Sequence, residues 1–285
     1  MPAFTHALQP LPVPPLQPLR LPGLAQAAVL RLDLVDPLLT GNKPYKLHGF
    51  LQRAAKAGAE GLISLGGAHS NHLHALAAAG ARYGFQTVGL LRGEPKDTPT
   101  VQALLGFGMG LHWLGYGGYR QRHSPGFWAP WRARYPRLYP VPEGGGGEAG
   151  QEGCRLLVAQ ALAQLPAVGW DRFDAWWLAA GTGTTAVGIA RYDSRPVFAA
   201  MAVPPAHGVE ATVAGSAVHL VQAARGGFGR VDPALLAFVE QCPLPVEPLY
   251  TGKALLALLA HPLREQRVLF VHTGGVRPCA GGHRP

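Results

Sequence analysis

The chain has 285 residues and a mass of 30.1 kDa, with 48% hydrophobic and 14% charged residues, enough apolar side chain to build a core without metal or disulfide staples. At about 150 residues per domain this length predicts two domains of ordinary size, and the composition excludes disorder over most of the chain. The formal charge of +9, from 25 Lys+Arg against 16 Asp+Glu, favours anionic partners. The arginines are scattered, however. The densest stretch, WRARYPR at 131–137, is broken by aromatics and proline and reads as a solvated face, so no nucleic-acid partner is expected.

In chain order, the first 22 residues are punctuated by prolines and are expected to run extended over the surface. No charged segment leads into an apolar one there, and no apolar run approaches the roughly 18 residues of a membrane span, so neither a signal peptide nor a membrane partner is expected. Strand-like apolar runs follow at 61–66, 87–92, 111–114, 137–141, 174–180, 196–203 and 267–272, with helix-compatible sequence between most of them. Runs apolar throughout are typical of strands covered on both faces by crossover helices, so the class is α/β with largely parallel sheets. VPEGGGGEAG at 141–150 is the clearest break in composition, either a linker or a backbone loop at a site, and it divides the chain near residue 145. Cys154, Cys242 and Cys279 are odd in number and unpaired in spacing, which argues against a disulfide framework or a cysteine zinc site and for a reducing compartment.

Four segments carry polar chemistry. In TGNKPYKL (40–47) a Gly41-Asn42 turn presents Lys43, and Pro44 opens a helix whose first turn carries Lys46. Lysines are few, at 43, 46, 56, 96 and 253, and one held on a tight turn is a candidate for Schiff-base chemistry; the plain alternative is two surface lysines beside a turn. In SLGGAHSNHLHALAAAG (64–80) a strand ends in Gly66-Gly67 and a helix begins near Ser70-Asn71, a natural carboxylate or phosphate pocket. His69, His72 and His74 do not share a helical face and lack a nearby carboxylate, so no metal is expected.

The third segment, LAAGTGTTAVGIA (178–190), runs from a strand through Gly181, Thr182, Gly183, Thr184 and Thr185 into a helix, whose N–H groups and hydroxyls suit one phosphate. It also fits the dinucleotide pattern G-x-G-x-x-A, but the next strand ends in prolines without the ribose-binding acid, and a single terminal phosphate is the better guest. Finally, EPLYTGKA (247–254) puts Tyr250 and Thr251 just before a helix and FVHTGG (270–275) ends a strand in polar residues; either could line a cleft where open α/β sheets bind ligands, and ordinary capping is the equal alternative for each alone.

A constrained lysine, a carboxylate-type helix start and a phosphate-type loop together point to pyridoxal 5'-phosphate, which has an aldehyde for the first and a phosphate for the last. The chain resembles the fold-type-II pyridoxal-phosphate enzymes, and within them the 1-aminocyclopropane-1-carboxylate deaminases and D-cysteine desulfhydrases. GNKPYKL, GGAHSNH, PEGG, GTGTTAVG, YTGKA and HTGG occur in the family's order over residues 12–275. The resemblance implies a tryptophan-synthase-beta-like fold with two open, mostly parallel sheets and helices on both faces. Residues 1–46 plus 146–285 would form the larger domain and 47–145 a smaller inserted one, with the cofactor between them.

Carried over by residue, the resemblance implies that Lys43 forms the Schiff base and moves protons at the substrate α-carbon. Asn71 would meet the cofactor's ring hydroxyl, while Ser70 and the N–H groups around Asn71 and His72 would hold the substrate carboxylate. Gly181, Thr182, Gly183, Thr184 and Thr185 would bind the phosphate, Tyr250 would assist at the substrate side chain, and Thr251 would face the pyridine nitrogen. Two departures bear on the reaction. The deaminases carry glutamate where Thr251 stands, and a neutral partner implies a weaker electron sink, which favours β-elimination of a thiol over cyclopropane opening. In RGGFGR (225–230), Phe228 falls where the family has a tyrosine. The expectation is a cytoplasmic, homodimeric lyase that converts D-cysteine to pyruvate, ammonia and sulfide. Its alternatives are the deaminase reaction and a cofactor-binding protein without turnover.

Overall fold

A computed structural model describes residues 4, 6–204, 207–225 and 229–274. Phe228, Cys279 and Gly275 of the HTGG segment lie outside the described residues. The chain divides into two compact units, Met1–Pro10 with Lys43–Gly153, and Leu11–Asn42 with Cys154–Pro285.

The second unit is built on six strands, β1 (Leu16–Pro18), β2 (Gln26–Arg31), β7 (Ala175–Ala180), β8 (Val197–Met201), β9 (Val218–Gln222) and β10 (Arg267–His272). Their order is β1-β2-β10-β7-β8-β9, parallel throughout except for the β1-β2 pair. β7 is buried along its whole length and β10 from Val268 onward, which is why AWWLAA and the VLFV of RVLFVH are apolar throughout. Trp177 and Phe270 pack there with Leu255 and Leu258, and the one polar atom of Trp177, Nε1, donates to the Ala254 carbonyl at 2.8 Å. The proline-rich entry is extended only from residue 10 to residue 21, since residues 6–9 form turns with Leu8 N–H donating to the Phe4 carbonyl, and it does not merely cover the surface. Its residues 16–18 form the edge strand β1, tolerated because an edge can spare the N–H that Pro18 lacks, and Leu16, Leu19 and Leu21 are buried.

The first unit holds a parallel sheet of order β5-β4-β3-β6, made of β3 (Gly61–Gly66), β4 (Gln86–Leu91), β5 (Gly110–Trp113) and β6 (Leu138–Val141). Helices α1 (Lys43–Lys56), α2 (Asn71–Tyr83), α3 (Pro99–Gly106), α4 (Gly115–Arg120), α5 (Ala129–Arg134) and α6 (Glu148–Glu152) surround it. The glycine run is therefore not where the chain changes units. Gly49 of α1 lies against the Ala149 carbonyl and Gly153 against that of Tyr45, contacts that any Cβ would block, so α6 stays with α1 and the division falls after Gly153. Among the described residues, no helix is long and apolar enough to cross a membrane.

Candidate active site

In the second unit, β7 ends at Ala180 and the chain turns through residues 181–183 into α8 (Thr184–Tyr192). The turn requires glycine at 183, whose φ is +77°, and with no side chain at this N-cap the start of α8 is left without a side-chain cap. Hydroxyls gather at this positive helix end. Thr182 Oγ1 and Thr184 Oγ1 are 3.1 Å apart, and Thr185 Oγ1 accepts from Asn42 Nδ2 at 2.8 Å. Asn42 is buried, and its own N–H donates to the Thr273 carbonyl at 3.1 Å. The residue that follows Asn42 in the chain is Lys43. Across the turn, the Tyr250 ring lies over Gly181, where a Cβ would stand 3.0 Å from Cε1.

Tyr250 is the N-cap of α11 (Thr251–Leu259), but the cap's hydrogen-bond acceptor is Glu247, three residues earlier. Glu247 accepts from the backbone N–H groups of Leu249 at 2.6 Å, Tyr250 at 2.9 Å and Thr251 at 2.7 Å, which ties down the first turn. Thr251 is fully buried beside it. The available signal was an acid just ahead of an apolar helix, preceding the cap instead of occupying it.

In the first unit Lys43 opens α1, half-buried, and Lys46 one turn on is buried. Ser70 caps α2 and accepts from Leu73 N at 3.2 Å, which leaves its hydroxyl hydrogen for a guest at the helix start. Asn71 begins the helix, and His72 and His74 diverge as expected. His74 meets the Phe107 ring edge-on at 5.4 Å, whereas His72 points into the interior. Ser64 Oγ donates to the Val141 carbonyl at 2.9 Å, so the 2.8 Å contact between Ser64 Oγ and His72 Nε2 must be donated by the imidazole. That fixes the neutral tautomer with its hydrogen on Nε2 and leaves Nδ1 a buried acceptor without a partner. Burial, then the Lys46 and Lys43 charges, hold the pKa of His72 well below the usual histidine value. The glycine run is a backbone loop at this place. Gly145, at φ +66°, packs on Lys46 Cε and His72 Cε1, where a Cβ would come within 3.4 Å.

No protein-family model matches the chain. It is 26% identical to the D-cysteine desulfhydrase of Yersinia pestis, over 92% of this chain and 90% of that one. It is 24% identical to the bifunctional D-cysteine desulfhydrase/1-aminocyclopropane-1-carboxylate deaminase of Arabidopsis thaliana, over 97% and 79%. The solved structure of a homologue of 1-aminocyclopropane-1-carboxylate deaminase superposes with a TM-score of 0.75 at 22% identity, over 96% of this chain and 95% of that one. The chain has the fold of the fold-type-II pyridoxal-phosphate enzymes.

The residues of the 181–185 turn fit the phosphate of pyridoxal 5'-phosphate. Three threonine hydroxyls and the start of α8 form a donor set suited to one phosphate, with the side chain of Asn42, the neighbour of the only lysine on the turn, fixed against that set. The sequence-derived candidates fall in both units. Lys43, Ser70, Asn71 and His72 lie in the first, Gly181, Thr182, Gly183, Thr184, Thr185, Tyr250 and Thr251 in the second, where Tyr250 meets Gly181. Asn42 and Glu247 join them. The partner of Asn42 is 143 positions away in sequence, a relationship that local patterns do not reveal.

Proposed function

We propose that the protein is a pyridoxal-phosphate-dependent lyase of small amino acids, acting on D-cysteine by β-elimination. The observation that carries this reading is the 2.8 Å bond from Asn42 to Thr185, which couples the turn presenting Lys43 to the phosphate-type loop. When bound, the cofactor supplies an aldehyde for Lys43 and an electron sink for the pair left at the substrate α-carbon.

Thr182, Thr184, Thr185 and the first N–H groups of α8 hold the phosphate, and Thr251 meets the ring nitrogen. Asn71 meets the ring hydroxyl. Ser70, with the N–H groups of Asn71 and His72, orients the substrate carboxylate at the positive end of α2, so that the α C–H bond faces Lys43. The Lys43 amine takes the α-proton. The Cβ–S bond breaks with its electrons on sulfur, and the leaving thiolate takes a proton, a role we give to Tyr250. With one water consumed in hydrolysis, D-cysteine yields pyruvate, ammonia and sulfide. The free thiols of Cys154 and Cys242 support the cytoplasmic part of the reading, and a homodimer is the assembly we propose.

A second reading, opening of the cyclopropane ring, is favoured by the carboxylate of Glu247 at Thr251. The test is the visible spectrum of the reconstituted protein, titrated with D-cysteine and with 1-aminocyclopropane-1-carboxylate, with sulfide and keto acid measured alongside. A bound-cofactor band that is lost in Lys43→Ala, with sulfide formed from D-cysteine, is the expected result. Keto acid from the cyclopropane substrate alone would favour the second reading, and no band after reconstitution would overturn both.

A further inference from the structure

His272 ends β10 fully buried, and both of its ring nitrogens are engaged. Nε2 lies 2.7 Å from the Pro245 carbonyl, which can only accept, so the ring hydrogen is on Nε2. The lone pair of Nδ1 then accepts the Gly274 N–H at 3.3 Å. Asp33 Oδ1 stands 3.5 Å from the same Nδ1, but that carboxylate is held by Arg31, through Nε at 2.9 Å and Nη2 at 2.7 Å. Backbone groups of two separate segments thus fix the imidazole in one tautomer and one orientation.

The segment that follows the ring supports the turn before Lys43. The Asn42 N–H donates to the Thr273 carbonyl at 3.1 Å. Gly274 lies backbone to backbone on Gly41, where a Cβ on Gly274 would stand 2.5 Å from Gly41 Cα. The Gly41 N–H donates to the Leu32 carbonyl at 3.0 Å, just beyond β2, the parallel neighbour of β10. Residues 41 and 42 therefore rest on the ends of two adjacent strands, and the course of Thr273 and Gly274 depends on what holds the Gly274 N–H.

We infer that His272 is a positioning residue for Lys43: by holding the Gly274 N–H it sets the segment on which the Gly41-Asn42 turn rests, and so the point from which the amine is presented. This rests on the reading above, in which Lys43 is the amine that meets pyridoxal phosphate. The Pro245 carbonyl serves by fixing the tautomer, since a hydrogen on Nδ1 would set a donor against the Gly274 donor. Displacing a reacting group by about 1 Å slows its reaction by up to about a hundredfold, so a support that never touches the cofactor still governs the rate.

The experiment uses two variants that each keep one of the two bonds. His272→Asn retains an acceptor for the N–H two residues on, as asparagine commonly does, but lacks the group that reaches Pro245. His272→Gln retains a donor for Pro245 but has no acceptor at the Nδ1 position. Amide hydrogen exchange of the apoprotein reads the turn, and the rate at which the bound-cofactor band forms on adding pyridoxal phosphate reads Lys43. In His272→Gln the Asn42 amide is expected to exchange about tenfold faster while the β7 amides keep their wild-type rates, and the band to form about tenfold more slowly. In His272→Asn both are expected to lie within about threefold of wild type.

Wild-type exchange at Asn42 in His272→Gln, a wild-type rate of band formation there, or equal effects in the two variants overturns the inference. Faster exchange spread evenly over β7 also overturns it, because His272 would then serve only general stability. Should His272→Gln not fold, the nitrogen-15 shifts of the His272 ring in the wild type decide: hydrogen on Nε2 is expected, and hydrogen on Nδ1 overturns the inference. A wild type that forms no band is a separate outcome, which removes the reading beneath the inference and the inference with it.

Discussion

The carboxamide of Asn42 donates to the hydroxyl oxygen of Thr185 at 2.8 Å, and both side chains are buried. With one lone pair engaged by an amide donor, the Thr185 hydroxyl keeps its hydrogen for an acceptor in the turn, which is what a phosphate oxygen needs. Asn42→Ala should lower stability by about 1 kcal/mol and weaken pyridoxal-phosphate binding about tenfold, since Thr185 loses the partner that orients it. Asn42→Asp should bind more weakly still, because its carboxylate would stand beside the loop meant for an anion. Absorbance titration of the apoprotein measures both, and unchanged affinity in Asn42→Ala would detach this bond from cofactor binding.

Gly183 offers a test of the loop itself. Its φ of +77° belongs to the left-handed region, and a Cβ there would lie 3.1 Å from Val213 Cγ1 and 3.3 Å from Thr212 Cγ2. Gly183→Ala should cost about 1–2 kcal/mol in backbone strain alone and weaken phosphate binding in addition. Gly67→Ala is the control, since its Cβ would meet nothing within 4 Å. Chemical denaturation of the two variants should therefore separate them, and equal stabilities would mean that the turn relaxes freely.

Much of this arrangement is legible in the sequence where burial leaves an unbroken apolar run. Residues 61–66 and 267–272 read as strands match β3 and β10 residue for residue, and those read at 174–180 and 196–203 contain β7 and β8. Strands β1, β2 and β9 carry no such signal. β1 is three residues among prolines, and β9 is a partly exposed edge whose VHLVQ mixes polar and apolar positions. The turn chemistry of Ser70 and Gly183 follows from local rules that act within four residues. Asn42 and Glu247 escaped for different reasons. The first acts on a partner brought to it only by the folded sheet, and the second caps a helix from four residues before its first residue instead of from the cap position. At His72 local rules point only to a backbone donor, and nothing local shows that its ring would bond Ser64 on β3.

That ring makes stability depend on pH. His72 is held well below the usual histidine pKa, chiefly by burial and then by Lys46 and Lys43, whereas in the unfolded chain it titrates near its ordinary value of about 6.5. Below that pH the unfolded state takes up a proton that the native state refuses. The contribution of neutral His72 is thus fully present above about pH 6.5 and is lost as pH falls, by up to about 1.4 kcal/mol per pH unit. His48, His112 and His261 are shifted in the same direction by burial, so the informative quantity is the difference between wild type and a variant. His72→Gln is suited to this, because its amide nitrogen can donate to Ser64 Oγ as Nε2 does, while it lacks both the titrating ring and the unpartnered Nδ1. Urea denaturation from about pH 7.5 down to about pH 5.5 should show the wild type losing stability more steeply than His72→Gln, by about one proton's worth of slope. Parallel curves would mean that His72 accepts its proton in the folded protein, and that the tautomer fixed by Ser64 does not persist in acid.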